Sequence, residues 1–244
     1  MRLTRVFVNS PLAPDADVNL PDAAANHVGR VLRLRAGAVI VAFDGSGNDY
    51  RCEILSVEGD AVRVRVGPRS PGLLESPLRI TLVQAVSRGE RMDWTLQKAT
   101  ELGVRTIVPV LSARSVVRLD DQQAEKKLRH WQAIVAGACE QCGRSVVPEI
   151  RQPQELSHYL ASSTREGQRF VLSPTGHASL PGLTGVGARV ELLIGPEGGL
   201  DDAELERAAA SGFAPVRLGP RVLRTETAGI VALTVLQATW GDLV

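Results

Sequence analysis

Cysteine occurs only three times, at Cys52, Cys139 and Cys142, and lysine only at Lys98, Lys126 and Lys127. A small, odd cysteine count excludes a disulfide scaffold. The N-terminus, MRLTRVFVNSPLAP, lacks the apolar core of a secretory signal, so a reducing, cytoplasmic setting is expected. No apolar run approaches the length of a membrane span, and no membrane partner is expected. The four histidines, His27, His130, His158 and His177, are scattered. No second Cys or His pair accompanies the Cys139-x-x-Cys142 motif, so no metal is expected. That motif falls at the end of a helical stretch, where the dipole raises a thiol pKa, and this argues against a redox pair. A formal net charge of +1 argues neither for nor against a polyanionic partner.

What is present divides into two grammars within 244 residues, 44% of them apolar. VFV (6–8), VIVAF (39–43), YRCEIL (50–55) and AVRVRV (61–66) are short, β-branched runs broken by the turn signals DGSGND (44–49) and EGD (58–60). They predict a small β-barrel or barrel-like module. GPRSPGLLESP (67–77) is the best linker candidate. From residue 78 strands alternate with helices. LRITLVQAV (78–86), TIVPVL (106–111), RFVLS (169–173), RVELLIG (189–195) and PVRL (215–218) read as strands. Helices are expected near 89–102, 121–142, 201–210 and 226–240. Such alternation predicts an α/β domain with a mostly parallel sheet, and ligands in such sheets sit at the carboxyl ends of the strands.

Two glycine loops fall at such ends. In LLIGPEGGLDDAEL (192–205) a strand breaks into Gly195-Pro196-Glu197-Gly198-Gly199 before a helix. The loop matches neither the dinucleotide fingerprint nor a P-loop. A phosphate there would meet Glu197, Asp201 and Asp202, which is electrostatically unfavourable. A ligand with a cationic centre, such as S-adenosylmethionine, fits better, although a plain tight turn would also account for this loop. LGPRVLRTETAG (218–229) repeats the Gly-Pro opening and puts Arg224 at the start of the last helix, where an arginine opposes the dipole. Thr225 reads as its N-cap and Glu226 as a favourable first-turn acid.

IGPEGGL (194–200) with LGPRVLRTETA (218–228) resembles the RsmE family, the 16S ribosomal RNA uridine-N3 methyltransferases of the SPOUT superfamily. HVGRVLRLRAG (27–37), FDGSG (43–47), SRGERMDWTLQKATELGV (87–104), ACEQCGRSVVPEI (138–150) and QATWGDL (237–243) are similar to family patterns in the same order. The likeness is weakest over 152–187. The resemblance implies a PUA-like RNA-binding β-barrel over 1–72 and a SPOUT methyltransferase domain with a trefoil knot over 73–244. It also implies a homodimer acting on 16S ribosomal RNA or the small ribosomal subunit, with S-adenosylmethionine as cofactor.

Three stretches would form the cofactor site on this resemblance: Leu172, Ser173 and Pro174; Ile194, Gly195, Pro196, Glu197, Gly198 and Gly199; and Leu218, Gly219, Leu223, Arg224, Thr225, Thr227 and Ala228. Methylation at N3 needs a proton acceptor and stabilisation of charge spreading onto the flanking carbonyls. Arg224 is the candidate for the charge, and Glu226 or Glu197 for the proton. His27, Arg30, Arg33, Arg35, Arg88, Arg114 and Arg144 are candidates for RNA contact. A solvated basic face would explain the first four equally well, and a helix C-cap would explain Arg144. Aromatic content of 4% favours recognition of phosphates and shape over stacking on rings. Two alternatives stay open: methylation of another RNA position such as a ribose 2′-hydroxyl, or RNA binding without catalysis.

Overall fold

The computed structural model describes residues 3–162 and 167–243. The chain divides into two compact units. One is Met1–Glu75 with Ala136–Val147, and the other is Ser76–Val135 with Pro148–Val244. A reading along the chain places 136–147 with the second half, because it continues a helix that begins there.

The first unit holds β1 (Arg5–Phe7), β2 (Asp17–Asn19), α1 (Asp22–Asn26), a π-type turn (His27–Val31), β3 (Val39–Phe43), β4 (Asn48–Glu58) and β5 (Ala61–Pro71). These strands form one five-stranded sheet in the order β1-β3-β4-β5-β2, antiparallel except for the β1–β3 pair. Period-two alternation decides its inner face. Tyr50, Cys52 and Ile54 of β4, and Val62, Val64 and Val66 of β5, are buried, while Arg51, Glu53, Arg63 and Arg65 face solvent. The linker expectation needs correction, because Gly67–Pro71 continues β5 and its last part, Arg69–Pro71, pairs with Asn48–Tyr50.

A polar cluster holds Ala136–Val147 in this unit. Arg5 donates to both oxygens of Asp49, at 2.6 and 2.9 Å, and to Ser145 Oγ at 2.9 Å. The Phe7 amide donates to Glu140 at 2.9 Å.

The second unit contains β6 (Arg79–Ala85), α2 (Glu90–Glu101), β7 (Thr106–Leu111), β8 (Glu149–Ile150), β9 (Gln154–Glu155), α4 (Leu156–Ser162), β10 (Gln168–Leu172), β11 (Ala178–Ser179), β12 (Arg189–Ile194), α5 (Asp202–Ala210), β13 (Phe213–Arg217) and α6 (Thr225–Trp240). Helix α3 (Asp121–Cys142) supplies its first part, through Val135, to this unit. All pairings are parallel, in the order β11-β13-β10-β12-β6-β7-β8, with β9 added on β7. Strands covered on both sides read as continuous apolar runs, and every residue of β7 is buried. β12 and β13 are consecutive in sequence but not adjacent in the sheet, because β10 lies between them. The loops following those three strands therefore leave the sheet side by side.

Candidate cofactor site

The first of these loops is Ser173–Gly176. The Ser173 amide donates to Val216 O at 2.9 Å, which ties the loop to the end of β13. Inside the turn, the Thr175 amide donates to Ser173 Oγ at 3.3 Å and the Gly176 amide to Ser173 O at 3.0 Å. A Cβ at Gly176 would come within 2.7 Å of the Val216 carbonyl carbon, so only glycine permits this approach.

The second loop leaves β12 at Gly195. Its turn closes through the Gly199 amide to Pro196 O at 2.9 Å. It ends in a capping box: Asp201 Oδ1 accepts from the Glu204 amide at 2.7 Å, and Glu204 Oε2 accepts from the Asp201 amide at 3.0 Å. The third loop, Leu218–Leu223, turns at Gly219, whose φ of +126° disfavours any side chain. It leads into α6, whose N-cap is Arg224, in extended conformation and making no side-chain capping bond. The expectation of Thr225 as N-cap is thus corrected. Thr225 is the first helical residue, and its hydroxyl donates across to Gly195 O at 2.6 Å.

A cavity of about 500 Å³ opens between the three loops. Of the residues that the resemblance implies, Leu172, Ser173, Pro174, Ile194, Gly195, Pro196, Glu197, Gly199, Leu218, Gly219, Leu223, Arg224, Thr225 and Ala228 line it. Gly198 and Thr227 do not. The Gly198 carbonyl instead accepts from Arg114 Nη1 at 3.0 Å. The wall also includes Thr175, Leu200, Asp202, Leu205, Val216, Arg217, Arg221 and Val222. Leu200, Asp202 and Leu205 come from the start of α5 and the residue before its cap, a wall that loop motifs alone do not announce. The lining is apolar on most sides and carries both signs of charge at Glu197, Asp202, Arg217, Arg221 and Arg224. Its volume falls in the range that encloses small organic ligands.

Three charged side chains form a chain beside this cavity. Arg91 of α2 donates from Nη1 to Glu197 Oε1 at 3.0 Å, and its Nε lies 4.0 Å from Glu226 Oε1. Glu226 does not line the cavity. Its Oε2 is buried and has no hydrogen-bond partner among the described residues. Sequence reasoning missed Arg91. The available signal was the one that marked Arg224: an arginine in the first turn of a helix, against the dipole.

Of the candidate RNA contacts, Arg30, Arg33, Arg35, Arg88 and Arg114 are exposed, and His27 is half-buried at the start of the π-type turn. Arg30 pairs with Asp60 on the surface. Arg33 holds a positive φ of 52°. Arg144 requires a correction. Its side chain is only 4% exposed and binds both oxygens of Glu75, so its charge is satisfied within its own unit. An RNA phosphate would have to displace that carboxylate. Cys139 is buried, and desolvation pushes its thiol up to about 12 against the opposing charge of Arg144. A Cys139 thiol held neutral in this way does not supply a thiolate.

An RNA methyltransferase domain model matches residues 74–237, and an RNA methyltransferase PUA domain model matches 20–67. The chain is 34% identical over 242 residues to the ribosomal RNA small subunit methyltransferase E of Buchnera aphidicola subsp. Schizaphis graminum, covering 99% of this chain and 98% of that one. Among solved structures it is similar to the ribosomal RNA small subunit methyltransferase E of Neisseria gonorrhoeae bound to S-adenosyl methionine, at 36% identity and a TM-score of 0.91 over all of both chains. It is similar, too, to a Legionella pneumophila protein in complex with the bound cofactor SAM, at 40% identity and a TM-score of 0.96 over all of both chains. The chain belongs to the ribosomal RNA small subunit methyltransferase E family.

Proposed function

We infer that this protein methylates N3 of a specific uridine in 16S ribosomal RNA, with S-adenosylmethionine held between the three loops. The observation that supports this best is the cavity itself. It is formed by loops at three adjacent strand ends and belongs to a chain whose full-length structural relatives carry that cofactor in solved structures. The lining suits the molecule. Leu172, Ile194, Leu218 and Leu223 offer apolar surface to an adenine, and the mixed charges of the rim suit an amino-acid end and a sulfonium. Bound there, the cofactor supplies a methyl group on a sulfonium, already activated for displacement.

The chain's own residues then have two tasks. N3 of uracil carries a proton that must leave, and charge develops on the flanking carbonyl oxygens. Glu226, next to the lining residue Thr225, is the acceptor we assign, because its Oε2 is not engaged by another described residue. Glu197 Oε1 is already engaged by Arg91. Arg224, exposed on the cavity rim, is the group we assign to stabilising the carbonyl charge. The N3 edge is a pairing edge, so the target base must be unpaired or turned out of its stack.

We further assign RNA docking to the β module over 1–72, through His27, Arg30, Arg33 and Arg35. Arg88 and Arg114 contribute from the methyltransferase domain over 73–244. This reading also carries the family's knotted SPOUT chain path, a homodimer as the working form and a cytoplasmic location. The test is nucleoside mass spectrometry of ribosomal RNA from a strain lacking the protein. Loss of one N3-methyluridine, restored by the purified protein, is expected. Loss of a ribose-methylated nucleoside instead would identify a different target position, and no change at all would contradict catalysis.

A further inference from the structure

The second and third loops are joined by a buried chain of hydrogen bonds that begins outside the cavity. Gln84, in β6, is fully buried and does not line the cavity. Its Nε2 lies 3.0 Å from Thr225 Oγ1, which lies 2.6 Å from Gly195 O. The direction of each bond follows from chemistry. A carbonyl only accepts, so the Thr225 hydroxyl must give its proton to Gly195. The lone pair it then turns toward β6 needs a donor, which only the amide nitrogen of Gln84 supplies. That orientation leaves Gln84 Oε1 buried without a partner, and it has none among the described residues. The same nitrogen also donates to Ala85 O at 3.1 Å, so two acceptors hold the amide in the orientation that presents its N–H to Thr225. Gly229, one turn further along α6, makes room for it, since a Cβ there would lie 3.3 Å from Gln84 Oε1.

We propose that Gln84 is a positioning residue for the cofactor site, acting through Thr225 to fix the third loop against the second. Gly195 and Thr225 both line the cavity, one at the end of β12 and the other at the start of α6. Their bond sets the separation of the two walls, and Gln84 sets the direction of the hydroxyl that makes it. This rests on the reading of the cavity as an S-adenosylmethionine site. It adds the residue that holds the walls in register, which touches neither cofactor nor RNA.

The experiment compares Gln84→Glu, Thr225→Val and Thr225→Ser with the wild type in the full chain. The measurements are S-adenosylmethionine affinity by calorimetry, KM for cofactor and for RNA, and thermal midpoint. Gln84→Glu keeps the shape of the side chain but replaces the donor by an acceptor, which competes with Gly195 O for the proton of the Thr225 hydroxyl. Thr225→Val keeps the volume and removes the hydroxyl. Each should weaken cofactor binding about tenfold, as loss of one buried bond implies, with KM for RNA within about threefold of wild type. Thr225→Ser should recover most of the affinity. A purely structural role would lower the thermal midpoint and leave the affinity of the folded protein unchanged. Should Thr225→Val fail to fold, Gln84→Glu still decides. Tight binding by the wild type with undiminished binding by the variants overturns the inference alone. A wild type that binds no S-adenosylmethionine overturns the functional reading and this inference with it.

Discussion

Arg91 donates a hydrogen bond to Glu197 across 3.0 Å, and this links the first turn of α2 to the loop that opens at Gly195. The same guanidinium has Glu226 on its other side at 4.0 Å. One cation therefore serves the two carboxylates with which the proposed chemistry is concerned.

Replacing Arg91 by Met separates stability from function. The side chain is about half exposed (47%) and such pairs contribute about 1 kcal/mol at most, so the thermal midpoint should fall by no more than about 2–4 °C. Methyl transfer should fall about tenfold or more, because neither carboxylate keeps its orienting partner. Equal losses in stability and activity at every temperature would reduce Arg91 to a surface brace.

Arg224→Ala should lower kcat by about a hundredfold and weaken cofactor binding far less, the pattern of a group that acts chiefly on developing charge. Arg224 makes no capping bond, so α6 should keep its stability. Full activity in single-turnover kinetics would rule out the assignment.

Two arginines once grouped as RNA contacts should behave oppositely. Arg144→Met leaves the Glu75 carboxylate without its bidentate partner and should cost about 3–5 kcal/mol of stability in urea unfolding. Arg30→Ala, at an exposed pair, should leave unfolding unchanged. Its effect should appear as weaker RNA binding with a shallower salt dependence.

Burial raises the Cys139 thiol from 9.0 to about 12. A raised folded pKa means that the neutral thiol is favoured by folding. Its contribution to stability is complete below pH 9 and is lost as pH climbs through 12. Cys52 and Tyr159 are raised too, also by burial, and act in the same direction. Unfolding free energy should therefore decline in alkali, and Cys139→Ala should remove about one proton's worth of that slope. An unchanged slope would contradict a buried neutral thiol.

Much of the fold was legible in the sequence because its elements are periodic and punctuated. The helix over 121–142 and the strands over 39–43 and 106–111 appear at those bounds. What was not legible depended on partners distant in sequence. β2, β8, β9 and β11 are two or three residues long and exist only through pairing, so no local pattern marks them. α4 is a single short helix in the stretch where the family likeness is weakest. Ala136–Val147 joins the first unit through Arg5, Asp49 and Glu140, a relation across more than a hundred residues in the case of Phe7 and Glu140.

The site divides in the same way. Loop residues such as Gly195, Gly219 and Arg224 were visible because glycine, proline and a misplaced cation are conspicuous. Gln84 was not, since a glutamine inside an apolar strand acquires meaning only from what packs against it, and Arg91 carried the same dipole signal as Arg224 but with no glycine loop beside it. Arg144 shows the converse, for its charge suggested a surface that its burial denies.

A crystal structure of the protein soaked with S-adenosylmethionine tests the central claim most directly. The account predicts the molecule between Leu172–Gly176, Ile194–Leu200 and Leu218–Ala228, its methyl group open to the side where Arg224 stands. Those loops left empty at saturating cofactor, or the cofactor bound at any other surface, would contradict it.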